Sequence, residues 1–188
     1  MSELNQNKII ISTYKDKNQY LAVGISKNNR KLVRSCLPHK SESDCLQEIK
    51  DSKKVRNSNF SFKLSDEYQN LAKNLNKLYN GIPVDFDFEL LTAGDFQRNV
   101  LLEVFKIPYG EVRTYKDIAE ALNTRAYRAV GSSIGKNPLP LIIPCHRVVR
   151  SDMTIGGFFG GNRMKKEILL NEGVRIEGTK ILAGNIER

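Results

Sequence analysis

A thiol and an imidazole stand side by side at Cys145 and His146, directly after Pro144 and at the end of the apolar run Ile142-Ile143. Cysteine attacks as the thiolate, so a working thiol needs a base or a positive neighbour to bring its pKa below the ordinary value of about 8.5. His146 is the nearest base. The run Ile142–Val149 reads as a buried strand that delivers the thiol to a surface, and in a strand adjacent side chains face opposite ways. The imidazole would then act through a water or from another rotamer. A buried structural cysteine beside a surface histidine accounts equally well for the dipeptide taken alone.

Two further segments carry chemistry. Arg128 lies on a stretch rich in small residues, Ala126, Ala129, Gly131, Ser132 and Ser133. Such a helix either packs against another protein element or lets its backbone approach phosphates while the arginine enters a DNA groove. Gly156, Gly157, Gly160 and Gly161 flank Phe158 and Phe159. This loop lacks the Lys-Ser/Thr ending of a nucleotide-phosphate loop, which excludes that reading.

The elements that must position these residues fall into two halves. In the first, Ile9–Tyr14 and Tyr20–Ile25 read as strands joined by a hairpin turn at 15–18, with a second turn at Asn28-Asn29 before Leu32-Val33. Ser43 or Asp44 would cap a short helix over Cys45–Ile49. Ser65-Asp66-Glu67 opens a better one with Tyr68, Leu71, Leu75, Leu78 and Tyr79 on one face, ended by Gly81-Ile82-Pro83. Residues 84–90 alternate apolar and acidic, as a final strand or an extended connector with Asp85, Asp87 and Glu89 outward. In the second half Asp95 would cap a helix carrying Phe96, Val100 and Val104. Thr114 and Asp117 have capping-box spacing for a second helix, and a third runs from Arg125 to about Ile134. The short link Asn123-Thr124 makes the last two a helix-turn-helix. Asn137, before Pro138, can tie the following turn to the helix ahead of it.

The chain has 188 residues, 40% of them hydrophobic, enough for two small domains or one medium one. Its net charge of +9 favours an anionic partner. The excess is split, about +4 over residues 1–91 and +5 over 92–175, so charge alone does not locate a binding face. Lys53, Lys54 and Arg56 read as a solvated surface. Three cysteines argue against a disulfide framework, leaving a Cys36–Cys45 pair as an open question. With only His39 and His146 as histidines, a structural zinc would need Cys36, His39, Cys45 and a further ligand, and no metal or cofactor is expected. No apolar run is long enough to span a membrane, and the N-terminus lacks a signal-peptide core, so the expected location is the cytoplasm, on the nucleoid when bound to DNA.

The order and spacing of Phe96-Gln97-Arg98, Ile107-Pro108-Tyr109-Gly110-Glu111-Val112, Thr114-Tyr115, Arg128-Ala129-Val130-Gly131, Asn137-Pro138-Leu139-Pro140, Pro144-Cys145-His146-Arg147, Gly156-Gly157-Phe158 and Leu169-Leu170-Asn171-Glu172-Gly173 resembles the O6-alkylguanine-DNA alkyltransferases. These are the methylated-DNA–protein-cysteine methyltransferases, suicide proteins of DNA repair. The resemblance covers residues 92–175, and the first ninety add no comparable motif.

The resemblance implies an α+β chain: an N-terminal RNase H-like α/β domain over residues 1–90, a C-terminal winged helix-turn-helix domain over 91–176, and a tail over 177–188. It implies transfer of the alkyl group from O6-alkylguanine, and from O4-alkylthymine, to Cys145 in one irreversible turnover after base flipping. His146 would take the thiol proton through a water, oriented by Glu172. Tyr115 would help rotate the nucleotide and protonate the leaving guanine. Arg128 would fill the place of the extruded nucleotide, with Ala126, Ala129, Gly131 and Ser132 against the DNA. Asn137, Pro144, Val148, Gly157, Phe158 and Phe159 would form the pocket and its support. The partner is duplex DNA carrying alkylated guanine, with no membrane, and a monomer is expected. A non-catalytic lesion sensor is the alternative, and such proteins lack the nucleophile. The chain departs from the family pattern at Phe158, usually Tyr, at Phe159, often Ser or Arg, and at Met153, where the family has Gly. The missing hydroxyls leave backbone N–H groups to hold the guanine oxygen and suggest an apolar wall that admits larger alkyl groups.

Overall fold

The computed structural model describes residues 7–50 and 60–182. The first half opens as an antiparallel meander, β1 (Asn7–Asp16), β2 (Gln19–Ser26) and β3 (Leu32–Ser35). β1 and β2 pair from Ile9–Ser26 to Asp16–Gln19 across a tight turn with Lys17 at φ +51°. After α1 (Glu42–Lys50), β4 (Phe60–Leu64) returns parallel to β1, giving the sheet order β3-β2-β1-β4. This is the RNase H-like arrangement. A one-turn 3-10 segment capped by Ser65 leads into α2 (Gln69–Tyr79), which buries Ala72, Leu75 and Tyr79. Residues 84–90 form the extended connector with Asp85 and Asp87 exposed, bridging to β3 only at Leu32–Phe88.

The second half contains α3 (Asp95–Phe105), β5 (Arg113–Thr114), α4 (Tyr115–Ala121) and α5 (Tyr127–Gly135). The Thr114–Asp117 capping box is formed, fixing where α4 starts. Beyond a 3-10 turn at Cys145–Arg147, β6 (Val148–Val149) pairs parallel with β5. α6 (Gly161–Asn171) follows, then the hairpin of β7 (Ile176–Glu177) and β8 (Lys180–Ile181). These short sheets are the wings of a winged helix-turn-helix domain. The expected tail from residue 177 opens inside that hairpin, and Ile181 is buried with Val112, Val149 and Leu169. One continuous apolar core runs from Leu21, Val23 and Leu75 in the first half to Val100, Ile143 and Ile168 in the second. The halves are therefore cemented by hydrophobic burial, about 25 cal/mol for each Å² of apolar surface removed from water.

Several sequence expectations are corrected. Ile142–Val149 is not a buried strand: Pro140 and Pro144 lack the N–H a ladder needs, and Leu141 takes φ +72°. The chain turns through a single bridge at Pro140–Ile143 and coils into the 3-10 turn, extending only at β6. α1 begins earlier, with Ser41 Oγ accepting the Asp44 N–H in place of a cap at Ser43 or Asp44. Asp95 is the first residue of α3 behind an N-cap at Gly94. Phe96 is 42% exposed while Val100 and Val104 are buried in the shared apolar core. The third helix starts at Tyr127, two residues later than expected. Lys53, Lys54 and Arg56 lie outside the described residues.

Candidate active site

Cys145 lies partly exposed on the floor of a cavity of about 300 Å³, at the small end of ligand sites. Its walls come from five places: Tyr115 on α4, Gly131 and Ile134 on α5, Asn137 and Pro140 in the segment that follows, Gly157-Phe158-Phe159 in the glycine loop, and Leu37 from the first half. Phe158 packs back onto the core, whereas Phe159 is 63% exposed at the mouth. α5 passes beside Tyr115 at Gly131, where a Cβ would meet the ring at 3.9 Å, an ordinary contact, so this approach does not itself require glycine.

The cysteine turn is held from below by Asn137. Its side-chain amide donates to the Ile143 carbonyl at 2.9 Å and its carbonyl oxygen accepts the Leu139 N–H at 2.9 Å. Ser35, at the end of β3, braces the same segment: its N–H reaches the Pro138 carbonyl and its hydroxyl the Pro140 carbonyl at 2.8 Å. Leu37 is set by its own N–H on Glu48, a carboxylate that also meets His39 Nε2 at 2.7 Å. Beside it, the Cys36 and Cys45 sulfurs are 2.6 Å apart as free, buried thiols, and burial pushes the Cys36 thiol well up. Among the described residues no group of three His, Cys, Asp or Glu is placed to hold a metal.

Behind Cys145 is a buried charge network that the sequence spacing only partly indicated. Glu172, the C-cap of α6, accepts from His146 Nε2 at 2.9 Å, Arg147 Nε at 2.8 Å and Arg147 Nη2 at 2.8 Å. Burial alone would raise this carboxyl, but the donors from His146 and Arg147 outweigh it and bring the pKa down to about 2. Burial lowers His146 below 6.5, against the pull of Glu172. The imidazole is thus neutral at pH 7 with its proton on Nε2. Its buried Nδ1, which has no protein partner among the described residues, is left as an acceptor. Arg147 also donates to the Ile107 carbonyl at 2.7 Å and lies over the Tyr109 ring.

Lys165 is fully buried, donating to the Val148 carbonyl at 2.5 Å and the Gly157 carbonyl at 3.5 Å, so it pins the glycine loop to β6. Burial depresses it to about 8, while the Cys145 charge pulls the other way. Tyr115 is raised above 10, first by burial and then by the cysteine charge, so it keeps its proton at neutral pH.

Arg128, Ala129 and Ser132 are exposed on α5, and Ala126 is exposed at its N-cap. Pro144 starts the cysteine turn but faces a different groove, with Arg147 and Tyr109. Met153, where the family has Gly, takes φ +63°, a left-handed backbone that glycine adopts without strain. Leu37, Lys165 and Arg147 were missed as site residues. Arg147 was legible as part of the Pro-Cys-His-Arg motif, but nothing local in the sequence marks Leu37 or Lys165.

A winged helix-turn-helix joined to an RNase H-like domain, with a thiol in a pocket beside the second helix, defines a class of DNA-binding proteins with a nucleophile. Residues 95–174 match the family model of the 6-O-methylguanine DNA methyltransferase DNA-binding domain. The methylated-DNA–protein-cysteine methyltransferase of Archaeoglobus fulgidus is 48% identical over 122 residues, 61% of this chain and 80% of that protein. Its namesake in Methanothermobacter thermautotrophicus is 41% identical over 111 residues, 57% of this chain and 62% of the relative, slightly less than two thirds of its length. The crystal structure of Mycobacterium tuberculosis OGT in complex with DNA superimposes with a TM-score of 0.62 at 27% identity, covering 87% of this chain and 93% of the other. The chain belongs to the methylated-DNA–protein-cysteine methyltransferase family. No helix among the described residues is long and apolar enough to cross a membrane.

Proposed function

We propose that this protein repairs O6-alkylguanine, and O4-alkylthymine, in duplex DNA by moving the alkyl group onto Cys145 in one irreversible turnover. The observation that carries the reading is the partly exposed Cys145 at the base of a cavity of about 300 Å³, backed by a neutral buried His146 that Glu172 orients. Arg128 enters the duplex and replaces the extruded nucleotide. Ala126, Ala129, Gly131 and Ser132 let α5 approach the backbone. Extrusion costs a few kcal/mol, which these contacts must offset.

The thiol proton passes to His146 Nδ1 through a water, and the imidazolium that results is stabilised by Glu172. The thiolate forms a sulfur–carbon bond as the O6–carbon bond breaks, and the released electron pair stays on guanine, which takes a proton from Tyr115. Asn137, Pro144 and Val148 hold the turn, and Gly157, Phe158 and Phe159 wall the base. A thioether has no ready reverse reaction, so each molecule acts once. The working division is residues 1–90 as accessory domain, 91–176 as the DNA-binding and transfer domain and 177–188 as tail, in a cytoplasmic, nucleoid-associated monomer. A lesion sensor would not need a thiol in this cavity.

The test is intact mass after incubation with a duplex carrying O6-methylguanine. One methylene gained at Cys145, stoichiometric and absent in Cys145→Ala, is the expected result. Binding without a mass change would leave only a sensor, and turnover beyond one equivalent would mean a true catalyst.

A further inference from the structure

Beside the base cavity lies a second one of about 450 Å³, bounded by the cations Arg150, Arg163 and Lys166, with no carboxylate in its walls. Lys166 Nζ is set at the rim by the Gly178 carbonyl, 2.7 Å away. Arg150 is aimed by a tight turn in which its N–H meets the Thr154 carbonyl at 3.0 Å and its carbonyl accepts the Met153 N–H at 2.9 Å. The aliphatic stem crosses Gly156, where a Cβ would come within 3.2 Å of Arg150 Cγ. Asp152, whose charge Arg150 also feels, is engaged by the Thr154 N–H at 2.9 Å and the Thr154 hydroxyl at 2.6 Å.

The placement decides what such a pocket would hold. Gly156 lines the basic cavity and Gly157, the next residue, lines the cavity with Cys145. Consecutive Cα atoms are about 3.8 Å apart, so one peptide separates the two sites. We propose that Arg150, Arg163 and Lys166 take a DNA backbone phosphate beside the extruded nucleotide. Guanidinium forks match phosphate oxygens geometrically, and each strand offers a phosphate about every 3.4 Å of helix axis. The inference rests on the reading that the neighbouring cavity receives a base from DNA, and it adds an anchor built from residues outside α5. α5 alone would not supply that anchor.

Duplex affinity measured by fluorescence anisotropy over a range of salt tests it, comparing the unaltered protein with Arg163→Gln/Lys166→Gln. The slope of log affinity against log salt is expected to shrink by about 0.9 for each phosphate released. Lys73→Gln/Lys77→Gln, which removes the same charge from exposed positions of α2, should keep the original slope. An unchanged slope in the first variant, or an equal change in both, overturns the proposal. So does calorimetric binding of inorganic phosphate that the first variant loses while its DNA slope stays intact, since the pocket would then serve a free anion. With the unaltered protein, neutral methylphosphonates placed singly around the lesion should weaken binding at one or two adjacent positions, and a flat profile also refutes it. Consumption of free O6-benzylguanine by the unaltered protein tests the parent reading separately, because that substrate has no backbone.

Discussion

Glu172→Gln is expected to cost this protein about 3–5 kcal/mol, the usual penalty for breaking a buried ion pair by removing one partner. All the contacts of Glu172 named above are donors: His146 Nε2 and Arg147 Nη2 on one oxygen, Arg147 Nε on the other. Whichever oxygen becomes the amide nitrogen therefore points a donor at a donor, and no rotation of the amide escapes this. Arg147 is left buried without a counter-charge. For a chain of this length 1 kcal/mol moves Tm by about 2–4 °C, so the loss at pH 7 is about 6–20 °C.

The pH dependence sharpens the test. Glu172 falls from 4.5 to about 2 on folding, so its stabilisation is fully present above 4.5 and is lost as pH falls through the folded value. Two and a half units amount to about 3 kcal/mol, of which roughly 2 kcal/mol has gone by pH 3. The gap in Tm between unaltered protein and variant, followed by circular dichroism from pH 7 to pH 3, should therefore narrow. A difference below about 2 °C at pH 7, or a gap that does not change with pH, would refute the network as drawn.

Four other outcomes are expected. Arg128→Ala should slow repair of a duplex lesion by roughly 10- to 100-fold, because a few kcal/mol of extrusion go uncompensated, while the rate with free O6-benzylguanine is unaffected; equal slowing of both would remove Arg128 from extrusion. Phe158→Tyr should shift the ratio of benzyl to methyl repair towards methyl, and an unchanged ratio sinks the apolar-wall reading. Single-turnover rates should fall on the acid side once pH drops below the lowered pKa of His146, and a rate and acid limb left unchanged by His146→Gln would exclude the imidazole as proton acceptor. Gly81→Ala places a Cβ against the Asn171 carbonyl at φ +80°, costing about 3 kcal/mol or more and roughly 6–12 °C of Tm, read by thermal melting; no change would mean that the two halves can part there without penalty.

Much of this molecule is written in local order. β-branched and apolar runs made β1 and β2, Thr114 and Asp117 fixed the start of α4, and the Pro-Cys-His-Arg motif marked the nucleophile, because each is a short-range steric or hydrogen-bonding preference. The weaker expectations failed where one residue has several uses: Asp95 suits a cap or a first turn, and Phe96 is apolar yet exposed. The apolar stretch before Cys145 looked like a strand because periodicity cannot register the two prolines and the left-handed Leu141 that bend it. Sequence alone determined which side chains could act. Only tertiary packing decided that Glu172, 26 residues away, would touch His146, that Leu37 would enter the cavity from the other half, and that Lys165 would be buried whole. Those placements follow from burying one shared apolar core, whose contacts join residues far apart in the chain and leave no local signature.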